Sequence, residues 1–135
     1  LSIELELIQK RWAAAWEKKA QRAYHARLAM WGNYLDEYRN QPDAHADRYI
    51  YEVRLRVFLS ILVQDVDKLD MKAEASLLKL DKFLKTLIIP GKFVWDDDIL
   101  IVFPANHYWY LYGRLPVAIP DQILRFDQIW GGNDR

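Results

Sequence analysis

The sequence predicts a mainly helical α+β domain: a long antiparallel, coiled-coil-like helical hairpin, then a β-hairpin and a short C-terminal segment. Three observations support this prediction. Before Pro90 the chain holds one glycine, Gly32, and one proline, Pro42. Apolar residues in this part recur at heptad spacing, and two apolar runs flank a turn signal at residues 104–106. A chain of 135 residues matches the size of one domain, so we expect residues 1–135 to form one.

The first helix is predicted over residues 1–39. Ser2 is suited to capping it, and Glu4 lies in a first turn where acidic side chains favour the helix dipole. A heptad pattern runs through Leu1, Leu5, Ile8, Trp12 and Ala15 and, after a shift of phase, continues through Trp16, Ala20, Ala23, Arg27, Met30 and Tyr34. Such a shift is a stutter, which locally unwinds a supercoil.

The second helix is predicted over residues 42–88, after a start signal at Asn40 and Pro42. Apolar residues at every odd position from 49 to 63 would suit a strand, but a longer pattern outweighs them. This heptad pattern comprises Leu55, Leu59, Leu62, Val66, Leu69, Ala73, Ser76, Leu80, Phe83 and Leu87. Because so long a helix is rare in globular domains, a break near residues 65–70, which would give a three-helix bundle, stays open.

The β-hairpin is predicted over residues 92–116, with Pro104, Ala105 and Asn106 as its loop. This loop would pair Phe103 with His107 and Ile101 with Trp109. Both faces of such a hairpin are apolar or aromatic, so each needs a covering surface. The closing segment, predicted as a short helix or irregular chain at residues 120–130, is one candidate cover, and a second copy or a partner is another.

The composition argues against several classes of function. Nineteen basic and nineteen acidic residues give no net charge, so the molecule as a whole does not attract nucleic acid or anionic membranes. The absence of cysteine excludes disulfides and thiolate sites and favours a reducing compartment, so we expect a cytoplasmic location. No apolar stretch approaches the roughly 20 residues of a membrane span, and no membrane insertion is expected. We also expect no cofactor, because the glycines form no phosphate-binding loop, and we expect the chain to be a piece of a longer protein because it begins at Leu1.

The function that we expect is association with another protein or with a second copy of the chain. The expected contact residues are Tyr34 and Tyr38 beside the inter-helix turn, and Tyr108, Tyr110 and Tyr112 on one face of the hairpin. Tyrosine is enriched at interface hot spots because it supplies a large, fairly rigid surface with a polar end. Tyrosine also fills protein cores, so both interpretations stay open.

Two alternatives involve other chemistry. Exposed cations beside aromatic rings bind single-stranded nucleic acid, and the chain holds such cations at Lys10, Arg11, Lys18, Lys19 and Arg22. The opposing interpretation is an ordinary amphipathic helix, with Trp12 and Trp16 on its buried stripe. A metal-dependent enzyme is the third hypothesis, because Asp96 and Asp98 would share one face of a strand. Two carboxylates are a weak signal, and an enzyme is not expected.

Overall fold

A computed structural model describes residues 2–121 and 123 of the chain. It has the mainly helical α+β fold that the sequence predicts. The helices are α1 (Ser2–Asn40), α2 (Pro42–His45), α3 (Tyr49–Glu52), α4 (Arg54–Leu62) and α5 (Met71–Leu87), and the strands are β1 (Ile89–Phe93) and β2 (Tyr112–Arg114). Short 3-10 helices lie at Ala46–Arg48, Val63–Asp65, Asp97–Val102 and Trp109–Leu111.

Helix α1 agrees with the predicted first helix and is about 58 Å long at 1.5 Å per residue. Its buried side chains all lie at or after Ala20 and, apart from the neighbours Tyr34 and Leu35, recur every three or four residues, so they form one face. They are Ala20, Tyr24, Leu28, Trp31, Tyr34, Leu35 and Tyr38. The first half of α1 therefore extends beyond the core.

The chain reverses its direction after α1. The Tyr34 hydroxyl donates a hydrogen bond of 2.9 Å to the carbonyl of His45, and the Asp67 amide donates one of 2.9 Å to the Glu17 carboxylate. The chain from residue 45 to residue 67 therefore runs antiparallel to α1, toward its N-terminal end. Residues 42–88 do not form the one continuous helix that the sequence predicts, because several shorter helices take its place.

The second helix is broken at residues 63–70, where the sequence allowed a break. Val66 has extended backbone angles, with φ of −112° and ψ of 115°. The segment combines β-branched valines with three aspartates, all weak helix formers, and its Asp67 amide finds an acceptor on α1 instead of within a helix. The break lets α5 fold back, so that α1, α4 and α5 pack together as three helices.

The sheet differs from the predicted hairpin. Strands β1 and β2 pair antiparallel in the register Ile89 with Arg114, Pro90 with Gly113 and Phe93 with Tyr112, with an irregularity between Pro90 and Phe93. The predicted partners, Phe103 with His107 and Ile101 with Trp109, lie in the connection between the strands. The prediction of strands on both sides of residues 104–106 is therefore wrong.

Local hydrogen bonds and aromatic packing explain this difference. The Asp96 carboxylate accepts a hydrogen bond of 3.0 Å from the Asp98 amide and so begins a 3-10 helix instead of a strand. A turn does form at Pro104, whose carbonyl accepts from the His107 and Tyr108 amides. A straight hairpin would leave one apolar face uncovered, whereas the folded connection packs Phe103 against Tyr108 and against Phe93 of β1. The predicted C-terminal element at residues 120–130 lies largely outside the described residues.

The core lies between the second half of α1, helices α4 and α5, and the sheet. Its largest fully buried side chains are aromatic: Trp31, Tyr24, Tyr34, Tyr38, Tyr49 and Tyr110. Aromatic side chains bury more apolar area than any other type, so they contribute most of the packing energy in a core of this size. No helix in the described part of the chain has the length and apolar character to cross a membrane.

Candidate interaction surface

The expected tyrosine contacts are mostly core residues. Tyr34, Tyr38 and Tyr110 are at most 1% exposed. The Tyr38 hydroxyl donates a hydrogen bond of 2.7 Å to the carbonyl of Pro116, while Tyr108 and Tyr112 are half-buried. A fully buried ring cannot touch a partner without rearrangement, so a core role replaces the expected contact role at Tyr34, Tyr38 and Tyr110.

The hydroxyl groups of the buried tyrosines have raised pKa values, as expected for groups with a structural role. Burial raises the pKa of Tyr38 to about 12. Burial also raises the pKa of Tyr34, against an opposing effect of the Arg48 charge, and that of Tyr49. Each phenol therefore stays protonated at neutral pH, where it serves as a hydrogen-bond donor inside the fold.

Arg56 is the one charged residue buried in the core that the structure describes. It donates two hydrogen bonds of 2.9 Å to Asp81 and one of 2.7 Å to Ser60, and its guanidinium lies 4.6 Å from the centre of the Tyr110 ring. Burial lowers the pKa of Arg56, but hydrogen bonding to Asp81 and the charge of that carboxylate raise it more, so the net shift is upward. The contacts with Asp81 and Tyr110 join α4 to other internal elements, and the contact with Ser60 lies within α4, which indicates a structural role.

The aspartates of the metal hypothesis do not share a strand face. Asp96 precedes a 3-10 helix and accepts a hydrogen bond from the Asp98 amide, so one carboxylate oxygen serves as a helix cap. Within residues 2–121 and 123, no group of three or more histidine, aspartate or glutamate side chains comes together as a metal site would require. The expectation that Asp96 and Asp98 converge on one strand face is wrong.

Among the described residues, the feature that exposes the most large apolar side chains is the first half of α1, residues 2–19, which we name the N-terminal arm. Every residue of the arm is exposed except Glu17, which is half-buried. Trp12 is 76% exposed and Trp16 is 56% exposed. The interpretation that these tryptophans lie on a buried stripe is therefore wrong.

Four large apolar side chains of the arm lie on one side of the helix. Leu5, Ile8, Trp12 and Trp16 fall within about 80° of one another around the axis, at 100° per residue. Leu5 is 57% exposed and Ile8 is 52% exposed. We name these four residues the apolar stripe. Beside it, Arg11, Trp12, Ala15, Trp16 and Lys19 line a shallow groove of about 410 Å³.

The charges of the arm are distributed unevenly along it. Glu4 and Glu6 are exposed near its beginning. The cations of the nucleic-acid alternative, Lys10, Arg11, Lys18, Lys19 and Arg22, are all exposed along or just beyond its remaining length. Glu17 accepts hydrogen bonds from Gln21 and from the Asp67 amide, so its charge belongs to the junction with the core. The arm therefore has an acidic beginning and a basic second half.

The stutter in the sequence is the signal that could have identified this stripe. The first heptad phase contains Leu5, Ile8 and Trp12, whereas the core face of α1 begins at Ala20 and Tyr24. The core face lies about 100° from the stripe around the helix, and it departs from the second predicted phase, in which Trp16 and Met30 are exposed. A seam that changes direction in this way cannot face the same core along its whole length, which is why the first phase is left exposed.

Two other surface features are smaller. The 3-10 helix Asp97–Val102 exposes Ile101 to 86% and Val102 to 63%. A cleft of about 520 Å³ lies between β1 and the segment around α3, where Ile50 and Phe93 are among its lining residues. Neither feature matches the arm in the number of large apolar side chains that it exposes.

Comparisons with known proteins add no functional information. No family model matches the chain, and neither the curated proteins nor the solved structures contain a match. The interpretation of function therefore rests on the geometry of the chain itself.

Proposed function

We propose that this chain is a protein-association module whose contact surface is the N-terminal arm. The observation that carries this proposal is the exposure of Leu5, Ile8, Trp12 and Trp16 on one side of a helix. Contiguous exposed apolar surface marks interaction sites, because the free energy of the system falls when a partner removes that surface from water. Tryptophan is also among the residues most enriched at interface hot spots.

A protein partner explains the stripe more fully than a nucleic acid does. Bases stack on tryptophan rings and phosphates pair with cations, but Leu5 and Ile8 have no role in either contact. An amphipathic helix on the partner, or a groove lined by apolar side chains, would cover all four residues of the stripe. We also propose a cytoplasmic setting, because a chain without cysteine gains nothing from an oxidising compartment.

Site-specific photo-crosslinking in the producing cells tests this proposal. A photoreactive phenylalanine analogue replaces Trp12 in one variant and Lys10, on the opposite side of the helix, in a matched control. The two positions lie about 160° apart around the axis. We expect a discrete protein adduct, including any cross-linked dimer, from position 12 and none from position 10. Equal labelling at both positions, or none at position 12, would contradict an association surface on the stripe.

Binding of single-stranded nucleic acid is the second candidate, and the exposure of Trp12 and Trp16 among basic side chains favours it. Fluorescence anisotropy with a labelled single-stranded oligonucleotide measures such binding. Five phosphate contacts would give a slope of log affinity against log salt of about −3.5. Lack of binding at low salt, or binding that is insensitive to salt, would remove this candidate.

A further inference from the structure

Building on the proposed function, we infer that the partner of the arm is a second copy of this chain, with the two arms packed antiparallel around a two-fold axis near residue 10. In this arrangement Leu5 of each copy inserts into the groove of the other, and Glu4 of each copy faces Lys18 of the other. The charges of the arm, the geometry of the groove and the apolar area available support this inference.

The distribution of charge selects the direction of pairing. In a parallel pair, Glu4 would lie beside Gln9 of the second copy and Lys18 beside Ala23, so no opposite charges would meet. In an antiparallel pair, the acidic beginning of one arm lies against the basic second half of the other, twice per dimer. The same surface therefore complements itself, as a two-fold interface requires.

The register follows from the heptad positions of the arm. Placing Leu5 opposite Ala15 and Ile8 opposite Trp12 aligns the seam of one arm with that of the other and sets large side chains against smaller ones. This register brings Glu4 opposite Lys18 at the flanking positions. The register that packs the apolar side chains is therefore also the register that pairs Glu4 with Lys18 in an antiparallel dimer.

The groove has the shape that such packing requires. In coiled coils each seam residue enters a hole formed by four residues of the facing helix. Trp12, Ala15, Trp16 and Lys19 have the spacing i, i+3, i+4 and i+7 of such a hole, and with Arg11 they line the groove of about 410 Å³. In the register given above, Leu5 of the second copy lies over the middle of this hole.

The area available predicts a dimer that dissociates on dilution. Trp12 and Trp16 together expose on the order of 300 Å² per arm. With Leu5 and Ile8, two arms supply on the order of 1,000 Å², slightly below the usual range of specific interfaces. The same register brings Arg11 of both copies together near the axis, where like charges weaken the pair further.

Cross-linking between single cysteines tests the inference in a chain that has none of its own. Gln9→Cys lies near the axis, and Ser2→Cys lies about 24 Å from its counterpart in the antiparallel pair. With a short bismaleimide we expect dimers from Gln9→Cys and none from Ser2→Cys. Dimers from both variants would indicate a parallel pair, and dimers from neither would show that the arms do not pair, so each of these results overturns the inference.

A charge series measured by sedimentation across a dilution series provides an independent readout. Glu4→Lys should weaken the dimer about tenfold, and adding Lys18→Glu should restore it. Arg11→Gln should strengthen the dimer, whereas it would weaken binding to a nucleic acid. If the chain stays monomeric while position 12 still forms adducts with a different protein, this inference fails and the proposed function stands. If position 12 forms no adduct at all, both fail.

Discussion

Asp81 on α5 accepts two hydrogen bonds of 2.9 Å from Arg56 on α4, so one bidentate ion pair joins the two helices that the break at residues 63–70 separates along the chain. The side chains of both residues are largely buried, at 11% exposure for Arg56 and 16% for Asp81. The Tyr110 ring covers the guanidinium, so the pair also connects to the segment between the strands. This contact holds the folded-back arrangement of α5.

Removing one partner of this pair should be costly. Asp81→Ala leaves the buried guanidinium without its carboxylate, and we expect the free energy of unfolding to fall by about 3–5 kcal/mol. Asp36→Ala is the matched control, because Asp36 pairs with Arg39 at 2.7 Å on the surface and its loss should cost less than about 1 kcal/mol. Urea denaturation measures both. Similar losses for the two variants would show that the buried pair contributes no more than a surface pair.

The assignment of Tyr110 to the core gives a second prediction. Tyr110→Ser empties a fully buried site beside Arg56 and Ser60, and we expect a loss of about 3–5 kcal/mol in unfolding free energy. Tyr110→Phe keeps the ring and loses the contact of 2.6 Å with the Ser60 hydroxyl, so its cost should be about 1 kcal/mol. Thermal unfolding followed by circular dichroism measures both variants. A stable Tyr110→Ser variant with impaired self-association would restore the contact role for this residue.

Two glycines give opposite predictions for substitution by alanine. A Cβ at Gly113 would lie 2.5 Å from the Ile89 carbonyl oxygen, so Gly113→Ala must shift the β1 and β2 backbones and should cost about 1–3 kcal/mol. A Cβ at Gly32 would meet Leu80 at an ordinary 3.7 Å, and alanine favours the helix, so Gly32→Ala should stabilise by about 0.5–1 kcal/mol. The midpoints of urea denaturation compare the two. Stabilisation by both substitutions would mean that the strands are farther apart than described.

Alkaline pH should unfold the protein through its buried phenols. The pKa of Tyr38 is about 12 in the folded chain and about 10 when unfolded, so between these values the unfolded chain releases a proton that the folded chain keeps. The contribution of this group to stability is therefore complete below pH 10 and is lost as pH rises toward 12. Denaturation at pH 9, 10 and 11 should show a falling free energy of unfolding.

Tyr38→Phe is the control for this dependence. It removes the hydrogen bond to the Pro116 carbonyl and should lower stability by about 1 kcal/mol at pH 9. It also removes one titrating group, so its stability should fall less steeply between pH 9 and 11. Equal slopes for the two proteins would show that Tyr38 titrates alike in the folded and unfolded states.

The predictions from sequence succeeded where local chemistry decides structure. The absence of glycine and proline from long stretches before Pro90 predicts helices, and the turn at Pro104 forms where its residues favour one. The break at residues 63–70 was an open alternative, because the aspartates and valines there weaken a helix without preventing one. The heptad pattern passes through this break because α4 and α5 each keep an apolar face toward the same core.

The prediction of strands at residues 97–102 failed for a physical reason. A continuous apolar run such as residues 99–103 forms a strand only when an adjacent strand and a covering surface are available. Here β2 pairs with β1, which begins at Ile89, and the intervening residues turn back under local hydrogen bonds such as that from the Asp98 amide to Asp96. The pairing partner of a strand depends on the whole fold, and an apolar run in the sequence does not specify it.

By itself the sequence determined the fold class, the extent of α1 and the two phases of its heptad pattern, because helix propensity and periodicity act over neighbouring residues. The packing of distant segments decided which face of α1 is buried, and that face includes Ala20 and Tyr34 of the second predicted phase, whereas Trp16 and Met30 of the same phase are exposed. Helices α4 and α5 cover the face that begins at Ala20 and Tyr24, and they stop short of Leu5, Ile8 and Trp12. Burial depends on where distant segments end in space, so an apolar stripe is part of the core in one half of α1 and is exposed in the other.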